Sequence, residues 1–364
     1  MSPSAHAHTR WSRAFGIAIA AAIGVAILVL AFIWPAMTST ARDLPVAITG
    51  PTAQVSAVKQ AMSNADSPFT LTQVPDRAAA IRGIKDRTFD GGIVLAQKPE
   101  VLTASAAGSV VTPIMSQVQT QLQKQVNAQS AAASAAEPAG AAVPPVTVAI
   151  TDVVPLADTD SRGLGLAVAS FPIVIGGMLG GILISLVIAG VWRRLTAAAV
   201  YSIAAGFTIV GVMQPWFGIL QGEFFTNVAA VALSLFATVA FITGMASLLG
   251  RPGIAIGAVT TLLVGNPLSA AAQPQQFIPA PWGDVGQWLV PGASTTLLRN
   301  VSYFPDASNA FPLVVLGCWS VFGILLTAFG HYRSREIAHV PGWDEPPAGR
   351  TDAAALRRHA PAAG

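Results

Sequence analysis

Charge is absent from six long stretches of this sequence: 14–41, 163–192, 195–222, 224–250, 252–283 and 307–332. Each exceeds the roughly 20 apolar residues that a helix needs to cross a bilayer. A backbone in lipid must satisfy its own N–H and C=O groups, which leaves helices as the natural form for such runs. The spacing is uneven. One run stands alone, a charged insert follows, and five runs crowd together.

Composition supports the same class. Charged residues make up 10% of the chain, against roughly 25% in soluble domains. Apolar residues make up 53%. The single cysteine, Cys318, lies in the last run and has no internal partner for a disulfide. The sequence pI is near 9.3, yet the net charge is only +3. The bases flank apolar runs, where they orient spans, and no nucleic-acid partner is expected.

The positive-inside rule turns the runs into a topology. Arg10 and Arg13 place residues 1–13 in the cytoplasm, before a first span at 14–36. Its apolar core is too long for a cleaved signal peptide and reads as a signal anchor. The second span (164–190) returns to Arg193 and Arg194, the third is 196–214, and the fourth (227–249) returns to Arg251. The fifth (253–272) leads into an outer loop, 273–308, and the sixth (310–330) into a basic, disordered cytoplasmic tail, 331–364. The expected fold is a polytopic α-helical membrane protein with six spans (1 + 5). A small extracytoplasmic domain separates the first two. The expected location is the plasma membrane, with both termini cytoplasmic and the lipid bilayer as the first partner.

Residues 37–162 hold nine bases and ten acids, the balance of a soluble domain. Leu44–Thr49, Phe69–Val74 and Gly91–Leu95 read as strands. Gln54–Asn64 and Asp76–Lys85 read as helices, the latter with Asp76 as its N-cap. That β-α-β-α-β order predicts a small α/β unit. Val111, Ile114, Met115, Val118, Leu122 and Val126 form a helical stripe within 109–129. This helix is expected to cover the sheet, with pairing to a second copy or to the membrane as alternatives. Residues 131–145 read as a low-complexity linker, and Val146–Val154 as a late strand that rejoins the sheet.

The 163–330 block offers few chemical groups. Gly176/Gly180 and Gly177/Gly181 are overlapping small-residue pairs, suited to close packing within the bundle or to a dimer seam. Pro215, in Gln214-Pro215-Trp216, and Asn266-Pro267 break the helical pattern. With Glu223 they are candidates for a gate or substrate path, because freed backbone groups must line a cavity. Helix ends at the interface explain them equally well. Asp158 and Asp160 with Arg162 read as a local turn and salt bridge. Trp192, Arg193, Arg194 and Arg251 are the candidate contacts for a cytoplasmic partner. The loop 273–308 reads as an ordered cap, and Ser294–Val301 as a short helix lying on the membrane. No P-loop, HExxH or GxSxG occurs, and no metal ligands or cofactor are expected. An enzyme is therefore not expected.

Three passages resemble a known group: Asp43–Ile48 with Phe89–Leu95; Asp160–Gly165; and Gly265–Ser269 followed by Pro281–Gln287 and Pro291-Gly292-Ala293. They resemble the YhgE/Pip (phage infection protein) branch of bacterial type-2 ABC exporter permeases. The resemblance implies a homo- or heterodimeric permease that exports a hydrophobic or amphipathic substrate, energised by a separate cytoplasmic ATPase. The alternative is a non-transporting receptor or envelope-assembly protein acting through its outer domain.

Overall fold

A computed structural model describes residues 10–64, 67–136 and 146–335. Five helices in it are long and apolar enough to cross a membrane. These are α1 (Trp11–Thr38), α5 (Leu164–Val187), α6 (Val191–Gly211, continuing as a π-helix to Trp216), α7 (Phe224–Leu249) and α11, whose apolar part is Ala310–Gly330. Helix α11 continues to Arg335, past the expected start of the tail at 331. The rest of the tail and residues 1–9 lie outside the described residues.

The run at 252–283 behaves differently from the other five. Its helix α8 (Arg251–Val259) continues as a π-helix over Thr260–Gly265 and stops there, short of the expected 253–272. At 1.5 Å per residue it reaches about 22 Å, against a hydrocarbon core of about 30 Å. Pro267 has no N–H to continue the ladder, which accounts for the stop. Pro215 acts the same way in the π-turn Val212–Trp216.

Helix α7 is the hub. It packs on α5, α6, α8, α10 (Val290–Tyr303) and α11. Small residues set the distances. A Cβ added to Gly244 would lie 2.6 Å from the carbonyl oxygen of Gly323, and one on Gly323 would lie 2.3 Å from the Ala240 backbone.

The expected cap, 273–308, is folded into the bundle. A short helix, α9 (Trp282–Gln287), leads to α10, which packs into the bundle. Val290, Ala293 and Leu297 of α10 join Ala237, near the middle of α7, and Leu316 of α11. The other end of α10 returns to the start of α7, where the Tyr303 hydroxyl donates to the carbonyl of Ile219. The segment is thus re-entrant relative to its neighbours. Ser294–Val301, expected on a surface, lies inside a mostly buried helix.

Residues 44–152 form a five-stranded sheet: β1 (Leu44–Thr49), β2 (Phe69–Gln73), β3 (Gly91–Val94), β4 (Glu100–Thr103) and β5 (Ala149–Asp152). Its order is β2-β1-β3-β4-β5, with β3–β4 antiparallel and the other pairs parallel. The late strand rejoins the sheet, as its sequence suggested. Helix α2 (Thr52–Asn64) and α3 (Arg77–Lys85) follow the expected pattern, and the Ala79 N–H donates to the Asp76 side chain at 2.6 Å. Helix α4 (Val111–Ala136) covers the sheet with buried Val111, Met115 and Val118. It runs through Ala131–Ala136, so the expected linker 131–145 begins as helix; residues 137–145 lie outside the described residues.

Candidate functional site

The sheet unit rests on one end of the bundle through a polar junction. The Ser109 hydroxyl donates to Ala272 O at 3.1 Å, Thr159 to Gly218 O at 2.9 Å, and the Thr40 N–H to Phe277 O at 3.2 Å. Gln273 donates to the Ser39 hydroxyl. At the centre Arg87 donates to the Asn300 side chain at 2.7 Å and lies 5.4 Å from the centre of the Phe304 ring. Helix α3 ends at Lys85, and Arg87 follows in the left-handed region at φ 63°. A non-glycine residue holds that conformation where its surroundings over-determine it. Here the side chain crosses from the sheet unit to α10.

Arg87 shares a cavity of about 270 Å³ with Asp86, Asp90, Thr296, Arg299 and Asn300. Asp90 is 8% exposed, Arg299 4% and Asn300 3%. Arg299 donates to the carbonyl of Ala271, but its buried Nε has no hydrogen-bond partner. Among the described residues, Arg77–Glu100 is the one ion pair within 4.0 Å, so Asp90 forms no direct bridge to either arginine. Burial pushes Asp90 up to about 6, against the lowering pull of Arg87 and Arg299. Burial also holds Arg87 below its ordinary value, with Asp90 pulling it back up. A charge removed from water without a close partner is costly, and this cavity holds two such groups, Asp90 and Arg299, beside the partly buried Arg87.

Sequence reasoning found only part of this site. Arg299 is the single base of loop 273–308, while Arg87 and Asp90 belong to the balanced charge of a soluble domain. The available signal was a base in the mostly uncharged loop 273–308, where burial demands a partner.

The residues singled out by sequence go elsewhere. The four glycines of α5 meet neighbours within the chain. A Cβ on Gly177 would lie 2.9 Å from Thr238, on Gly181 2.9 Å from Ile242, and on Gly180 2.2 Å from the Tyr201 ring. The Tyr201 hydroxyl donates to Gly176 O at 2.6 Å. These contacts are intramolecular packing, the first of the two readings offered for the motif.

Glu223 is exposed at the start of α7 and makes no capping bond. The buried polar group beside it is Asn227, 0% exposed. Asn227 donates to the Gln214 side chain at 2.9 Å and to Gln221 O at 2.7 Å, and accepts from Ser302 at 2.9 Å. This knot ties α6, α7 and α10 next to Pro215. Asn266 and Pro267 follow the π-helix of α8; Gly265, just before them, faces Pro291 of α10. The two helix breaks therefore each adjoin a different part of α10.

At the far end, Trp192 is 81% exposed, and Arg193 and Arg251 are also exposed. Arg194 is partly buried and engaged within the chain. Its guanidinium donates to Ile188 O at 2.7 Å, Ser185 O at 3.1 Å and the Ser247 hydroxyl at 2.9 Å, closing the end of α5 against α7. Asp160 forms no ion pair with Arg162; it accepts from the N–H groups of Leu164 and Gly165, at 3.0 and 2.9 Å, and caps α5.

No family model, curated protein or solved structure matches this chain. Function therefore rests on the geometry.

A second cavity, of about 420 Å³, lies between α2 and α4 over the sheet. Met62, Phe69, Ile114 and Leu122 line it, with Gln117 and Gln121 at its rim. No group of three or more His, Cys, Asp or Glu suited to a metal occurs among the described residues.

Proposed function

We propose that this protein is a permease subunit of an ABC-type exporter for a hydrophobic or amphipathic substrate, with α8 and the segment after it together making the sixth crossing. Its sheet unit lies outside the cytoplasm, both termini lie inside, and a separate ATPase chain supplies the energy. The observation that carries this reading is the re-entrant α9–α10 segment beside the broken helices α6 and α8. Irregular backbone among apolar helices is tolerated where protein or a cavity satisfies its polar groups, and transporters build their paths there. The resemblance to YhgE/Pip permeases points the same way. The expected test result is co-purification of an ATPase with the full chain in mild detergent, with ATP turnover altered by the permease. Recovery of the intact permease without any ATPase across several detergents would overturn the coupling.

One observation favours a second reading, an envelope receptor or assembly protein. Among the described residues, the two short turns at the far end offer Trp192, Arg193 and Arg251 to an ATPase, whereas the sheet unit carries the apolar-lined cavity of about 420 Å³. Deleting residues 52–146 separates the two. Loss of partner binding without any change in export supports the receptor; loss of export supports the permease.

A further inference from the structure

We infer that the junction cavity between the sheet unit and α10 binds the phosphate-bearing head of an amphiphile. The first support is charge that no ion pair satisfies. Arg299 is 4% exposed, lines the cavity and keeps an unpartnered Nε. Arg87 lines the same cavity from the opposing unit, and neither arginine makes an ion pair within 4.0 Å. Of the two carboxylates on the wall, Asp86 already accepts from the Thr88 N–H at 2.9 Å. Asp90 is buried, which disfavours its charge against the pull of Arg87 and Arg299. A phosphate offers several acceptor oxygens to guanidinium donors and would neutralise both arginines at once.

The second support is what borders the cavity. Phe311 and Pro312 of α11 form part of its wall. The Phe311 ring packs edge-on against Trp288 at 5.0 Å, and both rings are exposed, at 43% and 61%. Nearby, Trp282 of α9 packs edge-on against Trp34 of α1 at 6.4 Å. Exposed tryptophans on apolar helices favour the headgroup zone of a bilayer. A phosphate in the cavity would thus have an apolar, aromatic surface beside it for an attached chain. The shared chemistry is a phosphate group, from a lipid or from solution, and the lipid fits the aromatic border better.

The inference is separable from transport, because its readout is binding. Full-length protein in detergent would be titrated with phosphatidylglycerol, phosphatidylcholine and inorganic phosphate, followed by native mass spectrometry and thermal shift. Retention of phosphatidylglycerol, weakened at least tenfold in both Arg299→Gln and Arg87→Gln, supports the site and assigns the phosphate to a lipid. Stabilisation by inorganic phosphate with no lipid retention supports the anion site but overturns the lipid assignment. Asp90→Asn guards against mere misfolding, since removing a negative charge from the wall should tighten binding several-fold. Equal retention in the wild type and all three variants, or weaker binding in Asp90→Asn, would overturn the site.

Discussion

Helices α1 and α7 are both long and apolar, yet they do opposite work. None of the apolar window of α1 is buried within the chain, against 72% of that of α7. Apolar content reports the solvent a helix can live in and is silent on what it packs against. In lipid, burial between helices follows shape, because the tails are as apolar as leucine. Helix α7 aligns Ala237, Ala240 and Gly244 with small residues on its neighbours. Helix α1 has Gly16 and Gly24, but an added Cβ at either would meet nothing within 4 Å.

The sharpest way to break this contrast is a pair of substitutions. Gly323→Val, facing α7, should eliminate folded protein on fluorescence-detected size exclusion, because the clash is with backbone that cannot yield. Its cost should exceed the roughly 1–3 kcal/mol usual for overpacking. Gly24→Val in α1 should leave the profile unchanged. Comparable losses from both would end the distinction.

Charge shows a parallel contrast, between buried Asp90 at the junction and Glu100, paired with exposed Arg77. The folded-state value of Asp90 is raised from 3.8 to about 6. The native state therefore holds a proton that the unfolded chain releases at lower pH. Stability from this group is full below about pH 4 and is lost as pH rises through about 6. Asp90→Asn should match the wild type near pH 4 and be more stable at pH 7, by up to about 3 kcal/mol. Thermal unfolding of both proteins in phosphate-free detergent across that range checks it. A constant difference across pH would refute the assignment.

Gly180→Ala tests a softer contact, with the Tyr201 ring. A loss of about 1–3 kcal/mol is expected, partly recovered by adding Tyr201→Ala, as read from melting temperatures. Smallest of all, Arg77→Ala should cost no more than about 1 kcal/mol. The Arg77 side chain is 49% exposed, and although its 2.6 Å bridge holds Glu100 well below the usual carboxylate range, water screens the pair. High salt should shrink even that difference.

These contrasts also mark what could be read from sequence. Strands β1, β2 and β3 and helices α2 and α3 were legible because their apolar residues recur at the right period and Asp76 punctuates them. Strand β4 was missed, since Glu100–Thr103 is four residues long and opens on an acid. Five of the six apolar runs correspond to helices of spanning length. The fifth run, 252–283, holds no helix of spanning length, because absence of charge says nothing about where Pro267 stops a ladder. Ser294–Val301 of α10 was placed on the membrane surface, and its Arg299 meets Arg87 and Asp90 from more than two hundred residues earlier. No local pattern encodes that encounter. Arg194 is the reverse case: its charge suggested an external partner, and no local pattern signals that it also holds the carbonyls of Ser185 and Ile188.

The packing of α7 on α11 has a consequence for synthesis. Ribosomes deliver the chain from its N-terminus, so α7 emerges well before the helix it packs on most extensively. Through the production of residues 250–309 the Ala240–Gly244 face stands open. Most of the bundle side of the junction cavity, including Arg299, is made during that interval. The open face of α7 can close only when α11 arrives. Chains truncated before Ala310 should therefore be recognised by the cell as unfinished, however many apolar helices they have already inserted.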